Sequence, residues 1–366
     1  MDAGNRDLGV LVVGVGFLGS LRTAAVAAAR GMKLVAVLDP DEARARAVAA
    51  RHAVCTLPDM ATGLAMPGVD LVIVATPHSD HAQAVHAALS AGKHVLCEKP
   101  LATSPEDARA LAYQADAAGL RLATGLNHRF YKPISDALDL IRSGALGRVD
   151  SVRATIGHSA TAEFLSGWHS DPRISGGGTL ADNGPHACDL IRHLLTEVVA
   201  VKGYVQQGLH LPEGCETEAF ALFRNHDLGV GELHSSWSQP EGYLTLEIRG
   251  TQGHLRVETA PWLLTGRVRS GKAIRRRYVS ERLAEKAYRW RHGCESSLVL
   301  ELESFVEGLA TGLPGPAATG WDGVRAAEMV AAVYESDRTG EEEFIAPWRD
   351  APEILVREDA PKERVA

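Results

Sequence analysis

Gly9-Val10-Leu11-Val12-Val13-Gly14-Val15-Gly16-Phe17-Leu18-Gly19 decides how the chain begins to fold. Residues 9–13 are short and apolar, as a buried strand must be, and they run directly into glycines spaced G-x-G-x-x-G. An alanine-rich helical stretch follows and ends near Arg30. Gly14 permits a tight turn, Gly16 lets backbone approach a pyrophosphate, and Gly19 lets the helix pack on the strand. The helix start at Phe17 and Leu18 supplies N–H donors and a partial positive charge to that pyrophosphate.

A second strand, residues 33–38, closes on Asp39-Pro40, with Asp39 twenty positions beyond Gly19. A carboxylate there accepts from a ribose diol and repels a 2′-phosphate, so NAD is the expected cofactor. Arg44 and Arg46 nearby leave NADP open. Asp39 also suits an N-cap for the helix that Asp41 and Glu42 open, and the two roles are compatible.

The alternation continues with helices near 41–52, 79–91 and 105–118 and strands at 70–75, 93–97 and 121–125, which predicts a doubly wound parallel sheet. Ligands bind off the carboxyl ends of such strands, where Thr76, Pro77, Glu98, Lys99 and Asn127 fall. Lys99 stands between a strand end and Pro100, in restricted backbone at the cofactor edge. His78 and His81 are three apart at a helix start, but with no acid or cysteine cluster beside them they read as capping or cofactor-edge groups, and no metal is expected.

A second stretch carries chemistry: Gly176-Gly177-Gly178-Thr179-Leu180-Ala181-Asp182-Asn183-Gly184-Pro185-His186 and the apolar-periodic run to Leu195. Asp182 and His186 are four apart, so a single helix would present both on one face. Pro185 is tolerated only in a first turn, which puts the helix start near Ala181. A carboxylate beside an imidazole at a Gly-rich helix mouth suits proton transfer, since the acid can hold the ring. Alone, such a pair is more often a helix-start acid and a satisfied histidine.

The 366 residues are enough for two cores, and 45% hydrophobic with 23% charged residues is ordinary for a globular chain. A net charge of −8 argues against a nucleic-acid surface, and the one basic run, Arg275-Arg276-Arg277, reads as a solvated strand end or subunit contact. Five widely spaced cysteines signal neither a disulfide framework nor a zinc knuckle, and fit a reducing cytoplasm. Neither a signal peptide nor a membrane-spanning stretch is read. Beyond Asn127-His128-Arg129-Phe130 the pattern changes to a helix near 134–143 and strands at 149–156, 198–206, 218–223, 229–236, 243–249, 254–258 and 262–269. These predict an open, mostly antiparallel sheet in an α+β domain, closed by helices at 295–309 and 322–334. The expected division is a nucleotide domain over 1–126, an α+β domain over 127–345 and a charged arm over 346–366.

Taken with Gly92-Lys93-His94-Val95-Leu96-Cys97-Glu98-Lys99-Pro100-Leu101-Ala102 and Asn127-His128-Arg129-Phe130, the two quoted stretches resemble the glucose-fructose oxidoreductase, inositol dehydrogenase and MocA family of sugar oxidoreductases. The resemblance runs over most of the chain. It implies that Lys99, Asp182 and His186 converge on the reacting carbon, that the Lys99–Pro100 bond is cis, and that the C-terminal sheet carries substrate on one face and a dimer or tetramer interface on the other. It also implies substrate contacts from Arg129 and from the segment 157–173, with His158, Trp168, His169 and Arg173. The expected activity is hydride transfer between a secondary hydroxyl of a sugar or cyclic polyol and nicotinamide. Its rivals are a redox-neutral elimination that borrows NAD transiently and a non-catalytic NAD(H)-responsive regulator. Metal-assisted chemistry on Asp182, His186, Asp189 and His193 is a weaker alternative.

Overall fold

The computed structural model describes residues 7–208, 211–260 and 262–346. Of the expected arm over 346–366, all but its first residue lies outside these. In chain order the first half runs β1 (Leu8–Val13), α1 (Phe17–Ala28), β2 (Met32–Leu38), α2 (Glu42–His52), β3 (Cys55–Thr56), α3 (Met60–Ala65), β4 (Leu71–Val74), α4 (His78–Ser90), β5 (His94–Glu98), α5 (Pro105–Ala117) and β6 (Leu122–Gly125). Its strands pair in parallel in the order β3-β2-β1-β4-β5-β6. β1 and β4 are buried on both faces, which explains why they read as unbroken apolar runs. The order reverses between β1 and β4, so the loops after these two strands, carrying Gly14 and Thr76, flank the crevice where such sheets take a dinucleotide.

A 3₁₀ turn, Asn127–Phe130, leads out of this sheet into α6 (Lys132–Arg142) and β7 (Val149–Ser159). Then come α7 (Ala162–Leu165), α8 (Pro172–Ser175), α9 (Thr179–Asp182), α10 (Gly184–Leu195), β8 (Val198–Gln207), β9 (Glu216–Asn225), β10 (Val230–Ser236), β11 (Ser238–Gly250), β12 (Gly253–Thr259), β13 (Trp262–Arg267) and β14 (Ala273–Arg277). The chain finishes with α11 (Val279–His292), α12 (Ser296–Thr311), α13 (Gly320–Thr339) and β15 (Glu343–Phe344). The nine-stranded sheet has the order β14-β13-β12-β11-β7-β10-β9-β8-β15, antiparallel except for the β7–β10 pair. α10 lies on its inner face, where Leu190, Ile191 and Leu195 join β-sheet residues such as Val152, Phe223 and Leu233 in one core. Full burial of each such side chain stabilises by about 1.5–3 kcal/mol.

The helices do not respect a cut after residue 126. α12 returns to the first sheet, with Leu298, Val299, Leu302 and Phe305 in the core that also holds Val10, Val12 and Ile73. α13 serves both halves: Val324 and Ala327 face the first sheet, while Met329 and Val333 join the core of the second. α11 was not read from the sequence; none of its residues is buried, and Val279, Leu283 and Trp290 are exposed on it. Arg275, Arg276 and Arg277 do lie on an exposed terminal strand, and Arg276 pairs with Asp136 at 2.9 Å.

Candidate active site

The glycine loop is shaped by contact as well as by torsion. Gly14 has φ +82°, and a Cβ there would sit 2.6 Å from the Ala75 carbonyl oxygen; one on Gly19 would sit 1.8 Å from the Gly14 carbonyl. Above Gly16 nothing lies within 4 Å, which is the open cradle a pyrophosphate needs. Phe17, at the start of α1, is 86% exposed, and Leu18 is half-buried. Asp39 does not cap α2; that role belongs to Asp41, whose carboxylate accepts from the Arg44 N–H. Asp39 instead ties the loop to β2, accepting from the Val15 N–H at 2.8 Å and the Asp41 N–H at 2.9 Å, with the Arg44 guanidinium at 3.2 Å. Pro40 beside it is exposed.

Across the crevice Thr76 Oγ1 is buried without a hydrogen-bond partner among the described residues. An unsatisfied hydroxyl at the switch point, an open glycine cradle and an adjacent carboxylate together fit a dinucleotide. Pro77 stands at the N-cap of α4, and His81 on that helix sets Nδ1 2.7 Å from the Pro100 carbonyl and Nε2 2.9 Å from the Thr76 carbonyl, so it braces the turn that carries Lys99. The Lys99–Pro100 bond is cis. Glu98 pairs with the fully buried Arg22 of α1, which also reaches Glu301 of α12 at 2.5 Å. Burial, against the pull of Arg22, lifts the Glu301 carboxyl to about 7. Asn127 donates its amide to Ser297 at 2.9 Å.

Lys99 and Asp182 meet between the two sheets. The ammonium donates to both the carboxylate and the main-chain carbonyl of Asp182, each at 2.7 Å. The other carboxylate oxygen accepts from His158 Nε2 at 3.0 Å and Trp237 Nε1 at 3.2 Å. Burial opposes ionisation of Asp182, yet Lys99 and the His158 hydrogen bond hold its carboxyl well below the usual range. Burial acts against protonation of His158, and the Asp182 bond overrides it and raises the ring's pKa.

The glycine triplet before Asp182 is there for close packing. A Cβ on Gly177, at φ +153°, would lie 2.0 Å from the Tyr334 hydroxyl, and one on Gly178 would lie 2.0 Å from the Glu216 carbonyl oxygen. Glu216 is buried and accepts from the N–H groups of Gly178 and Leu180 at 2.8 and 2.7 Å and from the Tyr334 hydroxyl at 2.9 Å. This clamp fixes α9 and hence Asp182. Nothing in the sequence near the triplet announces Glu216 or Tyr334, which come from β9 and α13.

One expectation fails here. Asp182 and His186 do not share a helix: α9 ends at Asp182 and α10 starts at Gly184, because Pro185 has no N–H to offer the Ala181 carbonyl. Asp182 therefore turns to Lys99, and His186 is held instead by a ring stack on His128, centroids 3.8 Å apart and planes within 10°. Burial first, then His128 and Lys99, keep His186 well below the ordinary histidine value, so it is neutral and able to accept a proton. Nothing in the local sequence marks His128 as the partner of His186, 58 positions on.

The Arg129 guanidinium is buried and paired with Asp189 and Asp322, close to Arg192, in an ion cluster between α10 and α13. It ties helices together, and the same pairing engages Asp189. Arg173 is exposed and bound to Asp171 at 2.6 Å. Trp168 belongs to an aromatic run beside Asp182: it stacks on His169 at 3.9 Å, His169 on Phe164 at 4.1 Å, and Phe164 meets Trp237 edge-on at 5.4 Å. Phe164 and Trp237 were not foreseen, because their role depends on Asp182 lying nearby in space.

A sheet edge built for a dinucleotide, carrying a lysine and faced by a neutral imidazole brought in from the other half, defines the class of nicotinamide-dependent oxidoreductases. A family model described as "Oxidoreductase family, NAD-binding Rossmann fold" matches residues 8–126, and the GFO/IDH/MocA C-terminal domain model matches residues 134–256. The chain belongs to the GFO/IDH/MocA oxidoreductase family. Similar proteins include 1,5-anhydro-D-fructose reductase of Ensifer adhaerens, 32% identical over 52% of this chain and 57% of that one. Over that match the chain spans little more than half the reductase's length. Inositol 2-dehydrogenase of Rhodococcus erythropolis is 29% identical over 92% of this chain and 95% of its own. The structure of GenD2 from gentamicin A biosynthesis in complex with NAD superposes with TM-score 0.79 at 27% identity, covering 94% of this chain and 97% of that one. No helix among the described residues is long and apolar enough to cross a membrane.

Proposed function

We propose that the protein oxidises a secondary hydroxyl of a sugar or cyclic polyol with NAD, using Lys99, Asp182 and His186. The observation that carries this is the Lys99–Asp182 pair beside a neutral, buried His186 at the carboxyl edge of the glycine-loop sheet. Gly14, Gly16, Phe17, Leu18, Gly19, Asp39, Pro40, Thr76, Pro77 and the 98–99 edge would hold the cofactor, with His81 bracing that edge and Asn127 at the neighbouring strand end. The bound nicotinamide supplies the hydride acceptor. His186 takes the hydroxyl proton, and Lys99 donates to the substrate oxygen as negative charge develops on it. Asp182 aims Lys99, and His158 and Trp237 hold Asp182 in turn.

The relatives support the substrate class: one is named for an anhydro-fructose and another for inositol. The aromatic run of Trp168, His169 and Phe164, each partly exposed, supports this as flat surface suited to the C–H face of a sugar ring. Tyr204, Phe220 and Leu222 on the open face of the second sheet support its proposed use as a subunit interface. A panel of inositols, hexoses, anhydrosugars and amino sugars with NAD and NADP, read at the nicotinamide absorbance, tests the reading. Steady NADH production on one of them is the expected result. Cleavage of a glycoside with no net NADH would replace it with the redox-neutral reaction, and NADH binding without turnover of any kind would leave a regulator.

A further inference from the structure

A catalytic imidazole is normally oriented by a hydrogen bond from one of its nitrogens, and His186 has no such partner among the described residues. Asp182 is engaged by Lys99, His158 and Trp237, and Nδ1 of His186 is buried with no partner among the described residues. The ring has a stack instead. His128 lies flat on it at 3.8 Å and 10°, Tyr131 covers the other face of His128 at 4.7 Å and 28°, and Trp262 follows at 6.4 Å. The far end is anchored by the Tyr131 hydroxyl, which donates to Glu295 at 3.3 Å. His128 rides on the turn leaving the first sheet and His186 on the first turn of α10, so the stack joins the two halves of the molecule at the base.

Resting on the assignment of His186 as base, we infer that His128 is a positioning residue that fixes the plane of the His186 ring by face-to-face stacking. The N–H and lone pair of an imidazole lie in its plane, so a stack sets orientation while leaving both nitrogens free. For the same reason no proton passes from His186 to His128 through the stack. His128 also excludes water from one face of the base. Burial, then Lys99, brings His128 itself down to about 3, so two cations do not face each other. The charged or titratable groups acting on His186 are His128 from the turn, Lys99 after β5, Asp182 on α9 and Arg22 on α1.

The test uses the full chain saturated with NADH, histidine-labelled for NMR, as wild type, His128→Ala and His128→Phe. Wild type holds the His186 titration at its depressed pH, and His128→Phe, which keeps the flat ring but removes the His128 charge that adds to the depression, is expected to raise it by less than His128→Ala does. In His128→Ala water reaches the ring, and the titration moves up by about one unit or more toward the ordinary 6.5. On whichever sugar or polyol is turned over, His128→Ala is expected to lose about 10²-fold in kcat, with the acidic limb of the pH profile displaced upward; His128→Phe stays within roughly threefold. An unmoved titration in His128→Ala overturns the inference. So does a His128→Phe variant as impaired as His128→Ala, since that would assign the effect to the His128 nitrogens. If His128→Ala does not fold, His128→Ser, which leaves the same gap over the ring, takes its place under the same criteria. Full turnover by His186→Ala would refute the base assignment separately, because the titration reads ring positioning without substrate.

Discussion

Replacing Lys99 by methionine isolates the interaction on which the site depends. The side chain keeps its length and loses its charge, leaving the Asp182 carboxylate, 16% exposed, with His158 and Trp237 as its side-chain donors among the described residues. Removing one partner of a buried ion pair costs on the order of 3–5 kcal/mol, and the two remaining donors put this case near 3. Unfolding entropy of about 2.1 cal/mol/K per residue gives roughly 0.8 kcal/mol per degree for 366 residues, so a Tm loss of about 4 °C is expected at pH 7. The pH dependence has a definite sign. In the wild type Asp182 is depressed, so its stabilisation is present above the unfolded carboxyl value and is lost only as pH falls through the folded one. In the variant burial is no longer opposed by Lys99 and the His158 hydrogen bond offsets only part of it, so the carboxyl rises from its wild-type value and protonation relieves the strain. The Tm deficit is therefore largest at pH 7 to 8 and shrinks toward pH 5. Lys99→Met combined with Asp182→Asn removes both charges and is expected to be more stable than Lys99→Met alone, with turnover still down by about 10²–10⁴-fold. Differential scanning fluorimetry across pH on the four proteins reads the cycle. Additive losses in the double variant, or a deficit independent of pH, would refute the picture of a buried pair.

His186→Ala is expected to lose about 10²–10⁴-fold in turnover while binding NADH with unchanged affinity by fluorescence titration. Asp39→Ser removes the acceptor of the Val15 N–H and the charge that opposes a 2′-phosphate. It should weaken NADH binding and strengthen NADPH binding, and titration with both dinucleotides checks it. Gly177→Ala places a Cβ 2.0 Å from the Tyr334 hydroxyl at φ +153° and should cost about 1–3 kcal/mol by thermal unfolding. Tyr334→Phe in that background removes the clashing oxygen and should restore part of the loss.

What could be read without coordinates was local. The buried run 9–13, the glycine spacing and Asp39 twenty residues on identify the first sheet and its ligand edge, because strand burial, tight turns and helix starts are written in neighbouring residues. The same grammar located Lys99 at a strand end and the mouth of the helix bearing His186. Tertiary structure decided which groups hold each other. Asp182 belongs to Lys99, 83 positions away, and not to His186, four away; Arg129 is bound up with Asp189, 60 positions on. Glu216 and Tyr334 clamp the glycine triplet from a strand and a helix far along the chain, and His128 supplies the surface on which His186 rests. Periodicity reports which face of an element is buried, whereas the partner of a buried charge or ring depends on which distant side chain shares the same few ångströms of low-dielectric space.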